Sequence, residues 1–359
     1  MGKQGSNIST LNETRRRVSI RLQELYEKQS IKPLRDLFTT ELNYDYSDMR
    51  LYLSDEKSRA FMYADEHPQV IATGSNGDFK IIYIRLRASL SRVNERTLIA
   101  RLLPNNPYAL FIFSDAEQQQ WHFVNVKYKE GTHNIKSRLH RRITIGREEQ
   151  LRTAIERIAM LDLSTLPGDI STQSALAIQN LSDQAFDVEA VTRTFFRDYR
   201  ICFDVLQKDL YKQTSDETWA HDYALQLLNR CMFLYFIQRK RWLGNNTEFL
   251  KTFWNAYTGV EHEEDTFVSL WLNTLFFKAL NNKYYVTDNH FPASIHDALR
   301  LAPFLNGDLF TENDLDRREG FVVSDQRFVE IFSLLQRYNF TIAEDSSLDQ
   351  EVAVDPEMI

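Results

Sequence analysis

The chain has 359 residues, with 43 Lys and Arg against 50 Asp and Glu, a net charge of −7. That length suggests about two domains, and 24 Phe, 16 Tyr and 5 Trp supply apolar faces that exclude disorder for the bulk of it. The two cysteines, Cys202 and Cys231, exclude a disulfide scaffold and a cysteine-rich zinc site and fit a reducing, cytoplasmic setting.

The N-terminus shows no apolar signal region before the basic run Arg15–Arg17. The most apolar helical stretch has only eight uncharged residues, between Arg230 and Arg239. A span needs about 20, so no membrane partner is expected. The overall charge hides an asymmetry. Residues 1–148 hold 24 Lys and Arg against 17 Asp and Glu, net +7, whereas residues 149–359 hold 19 against 33, net −14. The basic half is the candidate for a polyanion; mutual attraction of the halves is the plain alternative.

In chain order, helical patterns cover residues 11–29 and 32–42, the first forming an N-terminal arm over residues 1–29. A strand-like run follows at Phe79–Leu86, then a helix at 90–103 stopped by Pro104. Ala109–Phe113 and Trp121–Tyr128, separated by Asp115 to Gln120, read as an antiparallel hairpin. An α/β basic domain over residues 30–147 results. Residues 148–161 return to helical spacing, and residues 164–184, with Pro167-Gly168, are the best linker candidate within a helix-and-linker segment at 148–185. Aromatic-rich helices follow at 191–210, 219–242, 247–256 and 268–280, a connector domain over 186–359. Gly244 suits the end of the second of these. The predicted fold class is α+β. An N-terminal α/β domain carries a small, mostly antiparallel sheet, with a degenerate restriction-nuclease-like arrangement as one form of it, and precedes a mainly α-helical domain.

No phosphate loop of the GxxxxGK[ST] or GxGxxG type, no HExxH, no GxSxG and no Cys/His cluster occurs. Asn105-Asn-Pro-Tyr108 approaches the [DN]PP[YF] motif of amino-methyltransferases, but Asn106 stands where proline is needed, and a turn before a strand is the better reading. Restriction-type nucleases place an acid on one strand and E-x-K on the next, so that two carboxylates hold Mg²⁺ and the lysine faces the phosphate. Asn125-Val-Lys127 has an amide where the carboxylate belongs; Asp78 and Asp115 are the weak acid candidates beside Lys127, with Glu56 or Glu66 as helix-borne alternatives. No catalytic, cofactor-binding or metal-binding set is complete.

The clearest electrostatic feature is Lys136, Arg138, Arg141, Arg142 and Arg147, five cations within twelve residues that could contact several phosphates. A second cluster, Arg239-Lys240-Arg241, ends an aromatic helix, where cations equally suit the helix dipole.

The run from Phe186 to Phe196 and that from Cys231 to Gly244 resemble the helical segment of type IIG restriction-modification enzymes and the related adenine-specific DNA methyltransferases of bacterial phage-defence systems such as BREX. The runs 303–310, 338–342 and 349–358 agree with this, and Trp121–Lys127 with Arg141-Arg142 resemble the amino-terminal region of the same family. The resemblance implies DNA as partner, together with a methyltransferase domain or companion subunit and other phage-defence proteins. In relatives these runs precede the methyltransferase domain. The chain stops at Ile359 without the S-adenosylmethionine loop or an NPPY motif, so on this resemblance it is a truncation, a fragment or a split subunit, and S-adenosylmethionine belongs to a partner or missing domain. Three functions remain open: a DNA-binding scaffold of the system, a metal-dependent nuclease module, or a regulator that binds a full-length methyltransferase.

Overall fold

The computed structural model describes residues 2–64, 66–130, 136–284, 291–305, 307–340 and 348–354, with side chains described from Asn12 onward except at 128–130 and 136–137. The side chain of Lys136 and parts of the runs 338–342 and 349–358 therefore lie outside the described residues. The chain divides into two compact units, Met1–Val191 with Glu344–Ala353, and Thr192–Ala343 with Val354–Ile359. The protein is α+β as expected, with one mostly antiparallel sheet in the first unit and helices in the second.

The first unit begins with α1 (Gly2–Lys28) and α2 (Lys32–Asp36). Strands β1 (Asp45–Arg50), β2 (Gln69–Gly74), β3 (Phe79–Arg85), β4 (Ala109–Ser114), β5 (Trp121–Glu130), β6 (Lys136–Ile145) and β7 (Asp349–Glu351) lie side by side in sequence order. The short helix α3 (Glu56–Phe61) joins β1 to β2, and α4 (Arg92–Leu102) joins β3 to β4. That helical crossover makes β3 and β4 parallel, because parallel neighbours need a long connection. The predicted hairpin is β4–β5, antiparallel with Leu110 opposite Asn125. β7 runs parallel to β6 and comes from the far end of the chain, with His140 opposite Asp349.

Both faces of the sheet are covered, which is why β4 is buried at every position and reads as a continuous apolar run. On one face Ile82, Ile84, Phe111, Phe113, Val124 and Val126 pack against Leu98, Ile99 and Leu102 of α4. On the other, Phe79 and Phe123 meet Tyr44 and Phe38, beside α5 (Leu151–Ile158) and α6 (Ala175–Ala185). The expected linker at 164–184 thus contains α6. Ser174 caps this helix by accepting from the Ala177 amide, and Ala175, Ile178, Leu181 and Ala185 are buried. In the α6 part of this stretch, the apolar positions mark a buried helix face.

The second unit is built on α7 (Val188–Thr214), α8 (Glu217–Arg239), α9 (Phe249–Thr258), α10 (Ala293–Arg300) and α11 (Asp325–Leu335). Residues 267–278 form π-helical turns rather than the expected α-helix. Their rings join an aromatic core: Trp254 lies 4.8 Å from Phe267, Phe253 5.0 Å from Trp271, and Phe328 5.0 Å from Phe267. Trp219 stacks on Tyr223 at 5.0 Å under the Asp216 cap of α8. Cys231 is buried in α8, and burial pushes its thiol up to about 12. Among the described residues no helix is long and apolar enough to cross a membrane.

Candidate nucleic-acid interface

The basic cluster at 136–147 occupies β6, and strand alternation decides the fate of each cation. Successive side chains point to opposite faces, and here both faces are interior. Arg142 pairs with Val124 in register and points to the α4 face, where it is fully buried. Its Nε and Nη2 donate to Glu95 at 3.1 and 2.7 Å, and Nη1 and Nη2 donate to Asp349 at 3.3 Å each. Arg141, on the opposite face and also buried, reaches Gln350 at 3.4 Å and lies 3.9 Å from Asp187. The expectation that these two arginines hold phosphate is corrected by this geometry, since both side chains are buried and their donors face protein carboxylates and amides. Arg138 is half-buried and Arg147, beyond the end of β6, is exposed. Of the described side chains in the cluster, these two reach solvent.

Glu95 gathers the buried charges. His122 Nδ1 lies 2.7 Å from its other carboxylate oxygen. Burial alone would raise the Glu95 pKa, but the neighbouring His122 and Arg142 outweigh it and hold the carboxyl at about 2. Arg96 pairs with Asp349, Arg92 with Glu351 at 3.3 Å, and Thr144 donates to Glu351 at 2.6 Å. The network fastens β7 to β6 and α4. A sequence signal for it existed: Glu95 stands on the same helical stripe as Leu98, Ile99 and Leu102, at spacings of three, four and seven, so it had to point inward.

The nuclease candidates are not brought together. Asp78 is exposed just before β3, and Asp115 lies just past β4, where it accepts from the Gln119 and Gln120 amides at 2.8 and 3.1 Å. Because β3 and β4 are parallel, these acids sit at opposite ends of the strand pair, about 25 Å apart at the usual strand rise. Lys127 is half-buried on β5, near the Asp78 end but two strands across. Asn125 is fully buried and structural, donating to Asp183 at 2.7 Å and accepting from Gln179 at 2.9 Å. Asn106 likewise closes its turn, with its amide on the Leu102 carbonyl and its oxygen on Lys80, both at 2.8 Å. Among the described residues no group of three or more His, Cys, Asp or Glu could hold a metal ion.

Sequence reasoning passed over a polar pocket of about 620 Å³ at the end of the sheet near Arg85. Arg50, Gln69, Tyr83 and Arg85 share one face of three adjacent strands, with Arg50 opposite Gln69 and Gln69 opposite Tyr83. The α1–α2 turn (Gln29, Ser30, Ile31), Ala64, Glu66, His67 and Gln118 complete the lining. The Tyr83 hydroxyl is buried between Ser114 at 2.9 Å and Gln118 at 2.8 Å, and burial pushes its pKa up to about 12. Arg85 donates Nε to the Ala116 carbonyl at 2.9 Å and Nη1 to Glu66 at 3.2 Å, with its guanidinium 3.7 Å from the Tyr63 ring. Tyr83 and Arg85 at the end of a strand rich in Phe and Ile were the visible signal.

In the second cluster the local geometry serves the helix end. α8 stops at Arg239, five residues before Gly244. The Arg241 amide bonds the Gln238 carbonyl and the Trp242 amide bonds the Ile237 carbonyl, the paired closure of a Schellman motif. Arg241 occupies its left-handed position, at φ 62°. Lys240 lies over the Phe236 ring at 5.5 Å, and Arg239 is half-buried. Glycine adopts that φ without strain, so Arg241→Gly is expected to raise stability by up to about 1 kcal/mol. A fall in the thermal midpoint would show that the arginine side chain matters more than its backbone.

No family model matches the chain, and no solved structure matches it. Over 143 residues, 38% of this chain, it is 25% identical to a Methanocaldococcus jannaschii protein named as a type II restriction enzyme and methyltransferase. That stretch is 11% of the relative's length, so the chain is similar to a small part of a much longer protein related to restriction-modification.

Proposed function

We propose that the chain is a DNA-binding and scaffolding part of a restriction-modification or phage-defence system of the adenine-specific methyltransferase type, with methyl transfer performed elsewhere. The observation that carries this reading is the likeness to the restriction enzyme and methyltransferase of M. jannaschii. The basic first half supports it, with +7 over residues 1–148. The acidic helical half bridges to a methyltransferase domain or companion subunit, which holds S-adenosylmethionine. Arg138 and Arg147, the cations of β6 and its exit that reach solvent, contact the DNA backbone.

Phosphate contacts release counterions, so binding must weaken with salt regardless of sequence. Arg138→Glu with Arg147→Glu is expected to lower duplex affinity at least tenfold at low salt, equally for unrelated sequences, and to flatten the salt slope by about two. Fluorescence anisotropy on two unrelated duplexes between 50 and about 200 mM salt reads both quantities. Affinity unchanged by the double substitution would remove these residues from the interface. Plasmid cleavage that needs Mg²⁺ and disappears in Lys127→Ala would sink the scaffold reading in favour of a nuclease.

A further inference from the structure

We propose that the pocket between the α1–α2 turn and the ends of β1 to β3 binds a phosphate group through arginine, without a metal ion. The ligand is either a free nucleotide or a nucleic-acid strand, and since a nucleotide alone would satisfy it, the proposal stands apart from the DNA-binding reading. The lining is mostly polar side chains with Ile31 and Ala64 among them, and its volume of about 620 Å³ falls in the range of small-molecule sites.

Two guanidiniums face this space. Arg50 is exposed and has no hydrogen-bond or ion-pair partner among the described residues. It ends β1, across from Gln69 in the register. Arg85 is held rigidly by Ala116, Glu66 and the face of Tyr63. Those bonds use three of its five N–H groups and leave two for a ligand. The one carboxylate among the lining residues, Glu66, is already paired with Arg85. His67 adds Nδ1, a buried atom without a hydrogen-bond partner, and its ring leans on Tyr52 at 4.8 Å. Ser30 and Gln118 bring further donors, the latter fixed by the Tyr83 hydroxyl.

This balance selects an anion. A divalent cation needs several carboxylate or carbonyl oxygens, whereas the described lining offers one carboxylate, already neutralised. A phosphate, with several acceptor oxygens, suits two guanidiniums brought to one pocket from β1 and β3, on either side of β2. Arg85 is fixed in place before a ligand arrives, so ordering it costs little on binding.

The test titrates the full chain, in EDTA, with inorganic phosphate, deoxyadenosine 5′-monophosphate and a short duplex, by calorimetry and anisotropy. Arg50→Glu is the informative variant, because Arg50 supports no other described group; Arg50→Gln serves as a second if the reversal disturbs folding. Nucleotide binding weakened at least tenfold by Arg50→Glu supports a free-nucleotide ligand. Duplex binding weakened as much, without nucleotide binding, supports a strand phosphate. Binding of every probe that Arg50→Glu and Arg50→Gln leave unchanged, a requirement for Mg²⁺, or no binding of any probe overturns the proposal. Duplex affinity that falls with the Arg138 and Arg147 substitutions but not with Arg50→Glu would overturn the pocket and leave the DNA-binding reading standing.

Discussion

Replacing Arg142 by alanine is expected to destabilise the protein by about 3–5 kcal/mol, the cost of breaking a buried ion pair from one side. Glu95 and Asp349 are both buried and would each lose a guanidinium, leaving His122 and Arg96 as their remaining partners. The loss is largely the penalty of stranding those charges, so restoring apolar character at all three positions should recover much of it. Urea unfolding reads the difference; a loss below about 1 kcal/mol would show that the network relaxes or hydrates. The same network has a pH signature. The folded-state pKa of Glu95, about 2, lies below its ordinary 4.5, so its contribution is fully present above about pH 4.5 and fades as the pH falls towards 2. A shift of that size corresponds to about 3 kcal/mol. Glu95→Gln should therefore be markedly less stable than the native chain at neutral pH, and the gap should narrow between pH 5 and 2. A gap independent of pH would mean that Glu95 is not ionised in the fold.

Arg230→Ala is expected to cost a comparable 3–5 kcal/mol, for the same physical reason in the helical unit. Arg230 projects from α8 and is 2% exposed. It makes a two-pronged contact with Asp316, at 2.7 and 3.0 Å, and donates to the Leu309 and Thr311 carbonyls at 2.6 and 3.4 Å. Its guanidinium also lies 5.1 Å from Phe277 and 5.4 Å from Phe276. One side chain thus ties a loop that is short of regular structure to the central helix. Arg230→Lys should recover little, because an ammonium cannot reproduce the planar fork. A double-mutant cycle with Asp316→Ala isolates the pair, and a coupling energy near zero would assign the cost to the carbonyl contacts instead.

The basic run of β6 shows where sequence reading succeeds and where it stops. Arg142 and Arg147 stand five positions apart in one basic run, yet one is sealed between carboxylates and the other is exposed. Charge density along the chain could not separate them. Their fates follow from strand alternation and from what covers each face, and one covering group, Asp349, arrives from 207 positions away. The hairpin β4–β5 was legible because runs of β-branched and aromatic residues and a polar turn are local properties. Helical stretches at 191–210, 219–242 and 247–256 were legible for the same reason, whereas α10, α11 and the π-helical turns of residues 267–278 were not. The edge strand β1 was not, since its residues are mostly exposed and it lacks an apolar run. β7, three residues long, exists only through its pairing with β6.

By itself, the sequence determined an α+β protein with a basic first half and an acidic helical second half, because composition and periodicity suffice for each; its likeness to restriction-modification proteins rests on resemblance of particular runs. Only the tertiary structure decided which cations face water. It turned Arg141 and Arg142 into interior struts, put Asp78 and Asp115 at opposite ends of a parallel strand pair, and gathered Arg50, Tyr83 and Arg85 around one pocket. The reason is that a charge's role depends on the partners that desolvate or pair it, and those partners come from strands and helices distant in the chain.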